Sequence, residues 1–113
     1  MNEPRIYVDF NEMPTANEVL LSKFDTKVDS SGKAIYFVEG MRVSVYMDDE
    51  DKCGSPDNLI AEGIARRNHY GGWTAAARWV VVISERGIRH ESEERPHEPP
   101  EDNYQYSPAN CPR

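Results

Sequence analysis

Residues 55–68, SPDNLIAEGIARRN, decide which kind of fold this chain can adopt. Read as a helix, Ser55 is the cap, Pro56 takes the first helical position, and Leu59, Ile60, Gly63 and Ile64 form one stripe. Read as a strand, Ile60 and Ile64 share a face and Gly63 marks a bulge. A glycine inside a helix costs about 1 kcal/mol relative to alanine, and a strand here links its neighbours through a loop on either side. The strand reading is preferred, and with it a chain that is mainly β.

Flanking segments agree with it. RWVVVIS at 78–84 is too short and too β-branched to favour a helix. In MRVSVYM, Met41, Val43, Val45 and Met47 fall on one face and Arg42, Ser44 and Tyr46 on the other. KAIYFV at 33–38 is β-branched and aromatic and reaches that strand through a turn at Glu39–Gly40, so the two read as consecutive strands. Near the start, Ile6, Val8 and Phe10 alternate with Tyr7 and Asp9. The stretch 11–32 is mixed: Val19, Leu20 and Leu21 call for burial, and DSSG at 29–32 is a turn signal. GIRH at 87–90 adds a short edge. Five or six short antiparallel strands predict a small half-open barrel or roll. The spacing over 34–84 resembles an SH3-like barrel in rhythm, without a motif specific to that family.

A boundary is expected near His90. Residues 91–113 hold five of the eight prolines and six acids against two arginines, with no apolar periodicity. Such a segment buries too little apolar surface to offset its ordering entropy and is expected to be a disordered acidic tail after a β-domain over 1–90. A length of 113 residues fits one domain with a modest core. The net charge of −7 disfavours nucleic acid and anionic membranes as partners of the whole molecule. The longest apolar run, Trp79–Ile83, is far too short to cross a bilayer. The N-terminal residues carry no secretory signal, so a cytoplasmic location is expected, with Cys53 and Cys111 as two free thiols.

Three constellations invite a functional reading. Tyr46–Asp49 resembles the YMDD signature of reverse transcriptases, in which a hairpin presents carboxylates to magnesium. The chain is too short for a polymerase palm, and EDKCGSPDN follows where an apolar strand should re-enter. The same acids fit a calcium loop at Asp49, Asp51 and Gly54, but Cys53 and Ile60 stand where further ligands are needed. Asp48, Asp49, Glu50 and Asp51 therefore read as a solvated acidic loop, available to a basic partner surface. HESEERPH at 90–97 begins like a zinc helix, but Glu94 replaces the second histidine and Pro96 opposes a helix. No metal or other cofactor is expected.

The third constellation is RRNHYGGWTAAARW, 66–79. Residues 63–90 carry five bases against one acid. Arg66, Arg67 and Arg78 interleave with Tyr70, Trp73 and Trp79, a set that serves either single-stranded nucleic acid or a protein hot spot. His69 could act as a base, but no nucleophile is placed by any pattern. The sequence thus points to a non-enzymatic acidic β-domain that binds a protein partner, as an adaptor or as an inhibitor occupying a basic surface. The expected contacts are Arg66, Arg67, Tyr70, Trp73 and Arg78 together with Asp48–Asp51. Single-stranded nucleic-acid binding through 66–79 and an enzyme using His69 are the alternatives.

Overall fold

The computed structural model describes residues 4–94 and shows 55–68 to be built around a strand, extended from Leu59 to Arg67. In chain order the strands are β1 (Ile6–Tyr7), β2 (Glu18–Ser22), β3 (Thr26–Val28), β4 (Ala34–Tyr36), β5 (Arg42–Met47), β6 (Leu59–Arg67), β7 (Trp79–Ile83) and β8 (Arg89–His90). The main sheet runs β1-β5-β6-β7-β2, with β8 paired to the start of β6. It curls into a half-barrel. As the period-two pattern requires, Val43 and Val45 of β5 turn inward, while Arg42 is exposed and Ser44 half-exposed. Opposite them β6 offers only Ala61, Gly63 and Ala65, and small side chains at the centre of the sheet let it bend tightly. Val19 and Leu21 of β2, Val81 and Ile83 of β7, Phe37 and Trp79 fill the concave side.

The expectation of a mainly β, half-open barrel is met, with two differences in pairing. β1 runs parallel to β5, so the sheet is mixed rather than wholly antiparallel. Ile6 and Val8 are buried as their alternation implies, but Asp9 starts a turn, closed by Glu12 N–H on Asp9 O at 2.8 Å, that ends the strand before Phe10. The second point concerns 33–38, which with 41–47 forms consecutive strands as expected. β4 pairs with β3, drawn from the mixed stretch, and not with β5. Both Gly32 and Gly40 adopt positive φ, and the first closes the β3–β4 hairpin.

This hairpin spans part of what the main sheet leaves open. β1 and β2 are the two edges of the half-barrel and do not pair with each other. The hairpin lies across the gap: Ser30 N–H bonds Arg5 O beside β1 at 2.7 Å, while Phe37 N–H to Asp25 O at 2.9 Å extends its own ladder. At its centre the Lys27 ammonium donates to Tyr7 O of β1 at 2.6 Å and to Leu21 O of β2 at 2.9 Å. One side chain thus stitches the two edges and hinders strand addition there. Partial burial lowers the pKa of Lys27. Lys27→Met keeps the aliphatic stem but removes both donors, and is expected to cost about 1–2 kcal/mol in urea denaturation.

The polypeptide beyond β8 remains attached for a short distance. Glu91–Glu94 form a 3-10 turn in which Glu91 N–H bonds Asn58 O at 2.7 Å, and the Glu91 carboxylate meets Arg5 at 3.4 Å. The rest of the expected tail, 95–113, lies outside the described residues. One expectation needs correction: Cys53 is disulfide-bonded, not a free thiol. Cys111, expected to be a second free thiol, lies outside the described residues.

Candidate functional site

The acidic and basic constellations occupy opposite ends of the half-barrel. β5 and β6 are antiparallel, with Met47 opposite Leu59 at the acidic end and Arg42 opposite Ile64 towards the other. The length of β6, nine residues at about 3.3 Å each, separates the 48–58 loop from Arg66 and Arg67. They do not form a single site.

At the acidic end two of the four acids have structural work. One Asp51 carboxylate oxygen accepts from Cys53 N–H at 2.8 Å and Ser55 N–H at 3.0 Å, folding the loop onto itself. Asp49 contacts His90 Nε2 at 2.9 Å, and Glu93 approaches the other ring nitrogen at 3.5 Å. Asp57 nearby accepts from the Ser92 amide and hydroxyl. Only Asp48 and Glu50 stay exposed without such a role. Among the described residues no three potential ligands converge on a metal position.

The Asp49–His90 contact predicts a pH window. Hydrogen bonding to Asp49, helped by the charges of Asp57 and Asp49 and by Glu93, holds His90 above its usual 6.5. The hydrogen bond from His90, then one from the Glu50 N–H, holds Asp49 below 3.8. A raised histidine stabilises the fold below its unfolded value and loses that effect as pH rises through the folded one. A depressed aspartate contributes above 3.8 and fails as pH falls through its folded value. The pair should therefore favour the fold across the interval between, and NMR titration of the His90 ring is expected to show an upward shift that Asp49→Asn reduces.

At the basic end the loop after β6 is organised by Asn68, which the sequence reading passed over. Its side-chain amide donates to Thr74 O and Ala77 O, both at 2.9 Å, and its oxygen accepts from Tyr70 N–H. Gly72, at φ +64°, starts the 3-10 turn Gly72–Thr74 that lifts Trp73 outward. The arginines are engaged. Arg66 faces Glu39 at 3.7 Å, and Arg78 faces Asp25 at 3.3 Å. The Arg67 guanidinium lies 5.0 Å from the centroid of the Trp79 ring. The Tyr70 hydroxyl donates to Glu18, which raises its pKa. His69 is exposed, and no hydrogen bond to its ring is present among the described residues.

A third feature lies between these ends. The hairpin does not fill the gap between β1 and β2, and leaves a groove of about 430 Å³. Val8, Leu20, Leu21, Ala76 and Ala77 line it, and Tyr7, Phe24 and Trp73 stand at its lips. These rings are 42%, 68% and 65% exposed. Only Trp73 was singled out from the sequence. Phe24 sits in the turn between β2 and β3, held by its N–H to Ser22 Oγ at 3.0 Å, in the mixed stretch whose pairing the sequence leaves open. An aromatic flanked by Lys23 and Asp25 at a chain reversal was the available signal.

No family model, curated protein or solved structure matches this chain. The SH3-like rhythm of 34–84 therefore stands as spacing alone, and the functional reading rests on the geometry above. Among the described residues no helix is long and apolar enough to cross a membrane.

Proposed function

We propose that the chain is a non-enzymatic β-domain that binds a protein partner. The observation carrying this reading is a largely apolar groove lined by Tyr7, Phe24 and Trp73, of which Phe24 and Trp73 are mostly exposed while the Tyr7 ring meets Tyr46 edge-on at 5.5 Å. Rings left in water beside a concave apolar surface are the usual anchors of a protein contact. Trp73 and the neighbouring Tyr70 and Arg78 extend the same face towards the basic end. The ion pairs of Arg66 and Arg78 weigh against the nucleic-acid alternative, since phosphate would have to displace Glu39 and Asp25 in an acidic molecule.

Affinity capture from the source cells tests the proposal, with nuclease present and with a Phe24→Ser/Trp73→Ser double variant alongside. A partner retained by the native chain and lost by the variant is the expected result. Retention that requires nucleic acid would refute it. The inhibitor form of the proposal places a basic target surface on Asp48 and Glu50. Neutralising only those two leaves the contacts of Asp49 and Asp51 intact, and unchanged binding would discard that form.

A further inference from the structure

The polar groups of the seam groove carry information about its occupant. Two cations, Lys23 and Lys27, and two anions, Asp9 and Glu12, line it, so the groove has no net charge to attract a phosphate chain or a carboxylate head group. Its walls are otherwise mostly apolar, with Ser22 and Thr26 as the remaining polar residues. Among the described residues the Lys27 ammonium donates two hydrogen bonds, to Tyr7 O and Leu21 O, of the three it can make. Asp9 accepts from Asn11 N–H through one carboxylate oxygen, and Glu12 is exposed. Lys27 therefore offers a donor, and Asp9 and Glu12 offer acceptors, within a largely apolar lining. A neutral group that supplies both a carbonyl and an N–H at short intervals, with apolar side chains, complements this pattern, and an extended polypeptide does so at every residue. A fatty acid supplies no donor, and for the charge of a nucleic-acid strand a groove in which two cations offset two anions provides no net attraction. The volume lies within the range of about 300–1,000 Å³ typical of ligand sites.

We propose that the seam groove holds an extended apolar segment of the partner protein, with a main-chain carbonyl on Lys27, main-chain N–H groups towards Asp9 and Glu12, and apolar side chains between Phe24 and Trp73. This rests on the protein-binding reading and makes it specific. The test is amide and indole chemical-shift mapping of the full chain, labelled with nitrogen-15. Three probes are compared: the capped peptide acetyl-Leu-Val-Phe-Leu-amide, sodium octanoate and oligo(dT).

The peptide is expected to shift Phe24, Lys27 and the Trp73 indole, with affinity falling at least tenfold in Phe24→Ser, a change at a largely exposed side chain. Octanoate and oligo(dT) should leave those signals in place. Absence of groove shifts at millimolar peptide, or equal shifts with octanoate or oligo(dT), would overturn the inference. Should a nuclease-resistant partner still be captured while the peptide leaves the groove unmoved, the groove's occupant is wrong and the protein-binding reading survives. Loss of the partner in both arms would remove the two together.

Discussion

Gly63→Ala is expected to destabilise the fold by about 3 kcal/mol or more, and to leave much of the protein unfolded if its total stability is modest. A methyl group built on Gly63 would lie 2.1 Å from Val82 O and 2.8 Å from both Val82 C and Val81 Cγ1. Two of these atoms belong to backbone, so no rotamer change relieves the clash. Gly63 sits in the central strand, opposite Val43 of β5 and Ile83 of β7, so β6 would have to move against both neighbours. Its backbone is not in the left-handed region; the need for glycine comes from close approach alone. Gly71→Ala is the internal control. Nothing lies within 4 Å of a Cβ there, and φ is −103°, so the change should fall within about 0.5 kcal/mol. Urea denaturation followed by tryptophan fluorescence measures both, and equal midpoints for the two variants would contradict the packing argument.

The same glycine shows what the sequence could convey. Its presence argued against a helix at 55–68, which was sufficient to reach a strand and a half-barrel. It was read as a bulge marker, whereas its place is fixed by a carbonyl on the neighbouring strand. Strands with strict alternation, such as β5, or a dense β-branched run, such as β7, declare themselves because burial repeats with the pleat. Pairing partners do not. β1 joins β5 in parallel and β4 turns back to β3, and neither pairing is encoded in the alternation of the strands involved. The groove inherits this difficulty. Tyr7, Phe24 and Trp73 come from β1, the β2–β3 turn and the 3-10 turn, and no spacing in the chain relates them. The basic cluster was legible as composition, yet its acidic partners, Glu39 and Asp25, lie 27 and 53 residues from Arg66 and Arg78.

Trp79→Ala is expected to cost about 3–5 kcal/mol and to weaken partner binding at a distance. The indole is 2% exposed, tilts against Phe37 at 5.8 Å between ring centroids, and carries Arg67 on its other contact. Its Nε1–H donates to Asp25 Oδ1 at 3.0 Å. That bond, more than Arg78 or Arg67, holds the Asp25 carboxyl below its usual 3.8. Trp79→Phe separates the two roles, since most of the packing survives and the donor is lost. It should cost less than the alanine change, and the Asp25 titration should move up towards its ordinary value. Because the depressed carboxyl favours the fold above 3.8 and ceases to as pH falls through its folded value, the variant should lose part of that acid-side dependence. Trp79 also backs the lip of the groove: it pairs with Ser22, whose hydroxyl holds the Phe24 amide, and Arg78 N–H bonds Ser22 O at 2.8 Å. A Trp79→Phe chain that stays folded should therefore keep its peptide affinity within a few-fold, with Trp73 as its only tryptophan reporter. If affinity collapses while the fold persists, the Asp25 hydrogen bond, and not the bulk of the ring, positions the groove.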